Sequence, residues 1–213
     1  MSLLSWNYRG TGGSLCSPKM LHLSRLIAST KAQVNFISET RNKKTTKTNL
    51  VNKFALHDAH IVPAEGLAGG LWLLWKQDVS LYVEKSRSNV ILAPCMYKPT
   101  TTKFLLACVY GDPYHRRTRA IWREVRSFVI QYPNVPAICM GDLNNVMHSN
   151  EKFGPRPINV AHISTFCWLV KDCGLVDLGF FWSGLYLVQQ TFQSVAKLEQ
   201  IEGGCACLVG AQS

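Results

Sequence analysis

The stretch Ala137–Val146, AICMGDLNNV, decides how this chain is read. An apolar run stops abruptly at Gly141-Asp142-Leu143-Asn144. A run of this length bounded by turn residues predicts a buried strand. An acid and an amide therefore stand where a strand leaves the core. A core needs neither group there, which raises the question of what they hold.

Other apolar runs end the same way. Ser2 to Tyr8 predicts a strand finishing in Trp6-Asn7, and Val34 to Ser38 one finishing in Glu39-Thr40. Lys103 to Tyr110 predicts a strand finishing in Tyr110-Gly111-Asp112-Pro113. Gly69–Trp75, Val79–Glu84 and Ser88–Tyr97 read as further strands, with Lys98-Pro99-Thr100 as a turn. Between them, Ser17-Pro18 supplies an N-cap and an N1 proline for a helix carrying Met20, Leu23 and Ile27 at helical spacing. Arg116 to Tyr132 carries Ile121, Val125, Phe128 and Tyr132 on one face and is stopped by Pro133. Asn159 caps a further predicted helix with Val160, Ile163, Cys167 and Val170 inward, and Gly174 stands where a C′ glycine belongs. Arg41 to His57 contains no acidic residue and reads as an exposed loop or short helix. Irregular alternation of strands and helices predicts an α/β layered domain.

Composition sets the bounds. The chain has 213 residues, 47% hydrophobic and 17% charged, enough apolar material for a sizeable core and inconsistent with disorder. The formal net charge of +10 favours an anionic partner such as nucleic acid, although a solvated basic surface explains charge alone equally well. Cys95, Cys108 and Cys139 lie in apolar runs, no C-x-x-C pair occurs, and Cys205-Ala-Cys207 lacks partners at zinc spacing. A reducing intracellular compartment is expected. His57-x-x-His60 has no third ligand nearby in sequence and reads as structural or surface. The N-terminus has no sustained apolar segment of the signal-peptide kind, and Gly66–Trp75 is too short to span a bilayer, so no membrane is expected.

The strand-end residue types suit phosphoryl chemistry. Glu39 would bind a hard cation such as Mg²⁺, which polarises a phosphoryl oxygen. Asp142 would orient or deprotonate a water. Asn7 and Asn144 would donate hydrogen bonds to developing charge. Two other motifs are weaker. An EF-hand loop begun at Asp142 puts Met147 at its glycine and Phe153 at its closing glutamate, which excludes it. Gly10-Thr11-Gly12 sits as a dinucleotide fingerprint would, but Leu15 replaces its third glycine, and this alternative stays open at low weight. No Walker A pattern occurs.

The order SWNYRG, FISET, GGLWLLW, VYGDP, RRTRAIW, GDLNNV, EKFG and DCGLVDLG resembles the endonuclease/exonuclease/phosphatase superfamily. More closely it resembles the endonuclease domain of plant LINE-type retrotransposons, over about Ser2 to Trp182. The resemblance implies a four-layer α/β sandwich of two packed, mostly antiparallel sheets with outer helices. It implies phosphodiester cleavage of DNA with Mg²⁺ or Mn²⁺, nuclear access, and a reverse transcriptase in full-length relatives. Carried over by motif, Asn7 and Glu39 match the metal-site Asn and Glu, and Tyr110 the tyrosine near the scissile phosphate. Asp142 and Asn144 match the Asp-x-Asn pair that aligns nucleophile and phosphate. Arg41, Lys43, Lys44, Arg116 and Arg117 flank that edge as candidate nucleic-acid contacts. The family's closing Ser-Asp-His is missing, and no histidine follows His162. Residues 1–182 are therefore expected to form the domain and 183–213 a divergent tail, leaving the sandwich incomplete and catalysis impaired. A non-catalytic basic nucleic-acid-binding remnant is the alternative.

Overall fold

Three apolar clusters, stacked one on the next, define the architecture. The computed structural model describes residues 1–10, 17–66, 69–149 and 159–177, and the backbone of four later strands. The first sheet contains β1 (Ser2–Asn7), β2 (Val34–Ser38), β3 (Asp58–Val62) and β4 (Leu71–Trp75). The second contains β5 (Val79–Leu81), β6 (Lys85–Arg87), β7 (Val90–Tyr97), β8 (Thr102–Tyr110) and β9 (Ala137–Asp142). Helices α1 (Pro18–Thr30) and α2 (Lys47–Phe54) cover the first sheet, and α3 (Thr118–Ile130) and α4 (Val160–Asp172) the second.

Period-two alternation assigns each strand's two faces. In β8, Leu105, Ala107 and Val109 join Trp122, Val125 and Phe166 in the helix-side cluster. Their neighbours Phe104, Leu106, Cys108 and Tyr110 join Phe36, Leu73 and Trp75 between the sheets. Leu4, Ile37, Trp72 and Leu74 pack outward against Met20, Leu23 and Leu50 of α1 and α2. Four layers with three cores between them form the α/β sandwich that the motif order implied.

Short β10 (Val176–Asp177) precedes β11 (Phe181–Ser183), β12 (Tyr186–Val188), β13 (Lys197–Gln200) and β14 (Ala206–Gly210). The first sheet runs β11-β12-β13-β1-β2-β4-β3 and the second β10-β14-β9-β8-β7-β5, with β6 also on β7. Pairs β1–β2, β1–β13 and β8–β9 are parallel and the rest antiparallel, so both sheets are mixed. The readings that fall on Thr11-Gly12 and Leu15, on Glu151–Gly154, and on the side chains from 178 onward, including Cys205 and Cys207, lie outside the described residues.

Helix ends follow local chemistry. Ser17 and Asn159 accept the N–H groups of Met20 and His162 as N-caps. At the end of α4, Gly174 (φ 66°) donates to Lys171 and Leu175 to Val170, a Schellman closure whose Leu175 packs with Val170 in the helix-side cluster.

Of the two readings of Arg41–His57, the short helix is the one formed: α2 is capped and held down by buried Leu50 and Phe54. One strand was not anticipated and one helix face needs correction. Asp58–Val62 is an edge strand that its polar alternation concealed. In α4 the buried face is Phe166, Leu169 and Val170; Val160 is 69% exposed, and Ile163 and Cys167 are only half-buried. A helix apolar on most sides offers two faces at helical spacing, and contact with Trp122 selects the one carrying Phe166.

Candidate active site

Parallel pairing puts four strand ends at one edge. In β1–β2, Asn7 lies opposite Ser38, which places Glu39 just beyond. In β8–β9, Tyr110 lies opposite Asp142. Two hydrogen bonds then cross between the sheets. Asn7 Nδ2 donates to Asp142 Oδ2 at 2.6 Å, and Tyr110 Oη donates to Glu39 Oε1 at 2.5 Å. The structure thus brings together four of the residues singled out in the sequence, two from each sheet.

Backbone geometry holds each group in place. Glu39 adopts φ 51° and Arg41 φ 50°, a left-handed kink that non-glycine residues seldom occupy. Its surroundings fix it: Gly10 N–H donates to Glu39 O, Thr40 N–H to Gly70 O and Arg41 N–H to Gly69 O. Asn7 Oδ1 accepts the Arg9 N–H at 3.0 Å, so its amide is oriented with Nδ2 toward Asp142. Asp142 Oδ1 accepts the Asn144 N–H at 3.1 Å. Asn144 (φ 49°) turns its Nδ2 onto Gly111 O at 2.8 Å, and Gly111 N–H donates to Asp142 O at 2.7 Å. This clamp explains two glycines. A Cβ on Gly111 would lie 1.8 Å from Leu143 O, and one on Gly141 1.7 Å from Val109 O.

The surroundings of Asp142 raise its affinity for a proton. Burial raises its pKa above the ordinary carboxylate value, opposed by the Asn7 and Asn144 hydrogen bonds, and the Glu39 charge raises it further. Burial also raises the Tyr110 pKa, as do its bond to Glu39 and the nearby carboxylate charges, so the phenol stays a donor. The Arg41 guanidinium stands 4.0 Å from Glu39 Oε1.

Among the described residues no three His, Cys, Asp or Glu side chains group as a metal cage. Glu39 and Asp142 offer two carboxylates, beside the Asn7 amide and the Tyr110 phenol. Mg²⁺ binds through one or two carboxylates and keeps several waters, so this hard-oxygen set fits it, and Glu39 is the residue that would hold it.

The candidate nucleic-acid residues divide. Arg41 touches the site. Lys43 and Lys44 are exposed on the following loop, and among the described residues their side chains make no ion pair. Arg116 and Arg117 follow the Tyr110 loop, where Asp112 organises the turn by accepting the N–H groups of Tyr114 and Arg117. Burial raises the Asp112 pKa, but these N–H donors and the Arg117 charge outweigh it and hold the carboxyl below its ordinary range. Arg116 stacks its guanidinium over Tyr114 at 5.8 Å. His57 and His60 lie away from this edge: His57 N–H donates to Trp75 O, and His60 sits in β3 opposite Leu73. The sequence reading missed Arg9, whose charge faces Asp142, and Asn89, whose Nδ2 donates to Tyr110 O at 2.9 Å. Arg9 lies two residues after Asn7, close enough in sequence to have been considered; Asn89 has no such signal.

With fold and site in view, the comparisons define the class. The chain belongs to the Endonuclease/Exonuclease/phosphatase family, whose profile matches residues 4–194. No curated protein matches the sequence. Among solved structures, AP endonuclease LMAP from Leishmania major is similar with TM-score 0.64 and 14% identity, over 98% of this chain and 78% of that one. The 3′ phosphatase NExo from Neisseria, bound to product DNA hairpin, gives TM-score 0.61 and 14% identity, over 97% and 86%. The endonuclease domain of TRAS1, a telomere-specific non-LTR retrotransposon, gives TM-score 0.60 and 12% identity, over 98% and 84%. At these identities the likeness concerns the fold.

Proposed function

We propose that this chain is a phosphodiester hydrolase site of the DNA endonuclease kind, derived from a LINE-type retrotransposon and impaired in turnover. The observation that carries it is the pair of cross-sheet bonds, Asn7–Asp142 and Tyr110–Glu39, at one edge. They set an oriented carboxylate with a raised pKa beside a second carboxylate and two donors. Asp142 would hold an attacking water and take its proton. Asn7 and Tyr110 would donate to phosphoryl oxygens, and Arg41 would meet a neighbouring phosphate. Mg²⁺ or Mn²⁺ held by Glu39 would supply charge for the phosphoryl and leaving oxygens.

The retrotransposon assignment rests on motif order, and with it come nuclear access and a reverse transcriptase as companion in full-length relatives. DNA is the expected partner. A membrane is not, and no helix among the described residues is long and apolar enough to cross one. Impairment rests on the missing Ser-Asp-His. Loss of single members of a catalytic constellation costs roughly 10⁴- to 10⁶-fold in other hydrolases. The same absence favours a second reading, a non-catalytic basic domain that only binds nucleic acid.

Supercoiled-plasmid nicking by the purified chain separates the two. Slow nicking that needs Mg²⁺ and disappears in EDTA, in Glu39→Gln and in Asp142→Asn is expected. Folded protein that binds plasmid without nicking it at any metal concentration would establish the second reading.

A further inference from the structure

A groove between α3 and α4 lies on the outer face of the second sheet, apart from the strand-end site. It encloses about 710 Å³ and is lined by Arg119, Arg123, Arg126, Ser164, Thr165 and Trp168. Its floor is the buried pair Trp122 and Leu169. The two helices run in the same direction. His115 stacks near His162 at 5.0 Å, Trp122 meets Phe166 at 5.4 Å, and Arg126 pairs with Asp172 at 2.7 Å. The end marked by His115 adjoins the Tyr110 loop, so the groove leads away from the catalytic edge.

Its charge is one-sided. Arg119, Arg123 and Arg126 recur at i, i+4 and i+7 on one helix face. The single acid of α3, Glu124, is turned to β6, where Lys85 and Arg87 hold it at 3.2 and 3.0 Å. Asp172 is taken by Arg126. Among the described residues, Arg119 and Arg123 have no carboxylate partner. Across the groove from them, on α4, stands Trp168, a large ring left 61% exposed. Ser164 and Thr165 add hydroxyls.

We propose that this groove binds single-stranded nucleic acid, with phosphates on Arg119 and Arg123 and an unpaired base stacked on Trp168. An indole beside free guanidinium groups is how proteins hold single strands, because every base has a face to stack. Paired bases present no free face to the indole, so a duplex gains only the phosphate contacts. The groove continues the basic path begun by Arg116 and Arg117, and would hold a strand leaving the catalytic edge.

The test uses the full chain in EDTA with a fluorescein-labelled oligo-dT 20-mer and a DNA hairpin whose turn is a glycol linker in place of bases, so that every base is paired. Binding is read without cleavage, so its outcome is separate from that of the nicking assay: a groove that fails leaves the hydrolase reading intact, and the converse. Trp168→Ala is expected to weaken 20-mer binding about 5- to 150-fold, the range carried by one base–aromatic stack. Trp168→Phe should retain most of the affinity, and hairpin affinity should stay within about twofold. The double change Arg119→Ala, Arg123→Ala should lower the salt slope for the 20-mer by about 1.4. Trp168 is exposed, so circular dichroism should show all variants folded. Unchanged 20-mer binding by folded Trp168→Ala would overturn the proposal, as would an equal loss on the hairpin. A concentration-dependent dimer abolished by Trp168→Ala, with 20-mer binding intact, would assign the groove to a second copy of the chain and overturn it too.

Discussion

Replacing Asn7 with alanine tests whether the site is built as a cross-sheet bond. The change removes the 2.6 Å donor to Asp142 Oδ2, and both residues are buried, so water cannot readily take its place. A hydrogen bond to a charged group contributes about 1.5–3 kcal/mol, against about 0.5–1.5 kcal/mol for a neutral pair. The loss should therefore depend on the charge of Asp142. Burial and Glu39 already raise the Asp142 pKa, and without Asn7 it rises further. For an acid with a raised folded pKa, the folded chain holds more protons than the unfolded one above the ordinary value of 3.8, so stability falls as pH rises. Asn7→Ala should widen that fall. The destabilisation should be small at pH 4 and approach about 1.5–3 kcal/mol at pH 8, once Asp142 is ionised. For a chain of this size that is about 3 to 12 °C in melting temperature. Thermal melts of both proteins across that range, repeated in an Asp142→Asn background, provide the measurement. A melting difference that stays constant with pH, or persists undiminished in the Asp142→Asn background, would refute the reasoning.

Gly141→Ala should be among the most damaging changes in the chain, because its Cβ would lie 1.7 Å from Val109 O and its φ is 146°. Backbone cannot yield as a side chain does, so a loss of at least about 3 kcal/mol in urea unfolding is expected; a loss under about 1 kcal/mol would contradict the geometry. Asn159→Ala removes the acceptor for His162 N–H at 3.2 Å and should cost about 0.5–2 kcal/mol without altering nicking or DNA binding. Hydrogen exchange localised to the first turn of α4 would show it.

How much of this was legible depends on where the determining forces act. Strands β2, β4, β8 and β9 are apolar nearly throughout, so length and flanking turn residues reveal them. Ser17 and Asn159 announce their helices because a cap is a local event. The α4 face was misread because Val160 and Phe166 compete for one core, and only α3 across the layer decides between them. The polar strand ends also stand out in sequence. Their mutual arrangement does not: Asn7 and Asp142 are separated by 135 residues, and no local pattern says that one will donate to the other. Asn89 was missed for the same reason, since its contact with Tyr110 is set by the β7–β8 pairing.

The division of strands between sheets has a temporal consequence. Strands β1 to β4 leave the ribosome before β5 to β9, so these four strands of the first sheet are complete while Phe36, Leu73 and Trp75 have no second sheet to cover them, and β11 to β13 follow later. Asn7 and Glu39 wait with it, their partners not yet synthesised. Only when the second sheet docks do Asp142 and Tyr110 arrive, in the same event that dries the apolar interface. Competence at the edge and closure of the interface between β1–β4 and β5–β9 are thus one step, and a chain arrested before Tyr110 would carry half of each bond and none of the chemistry.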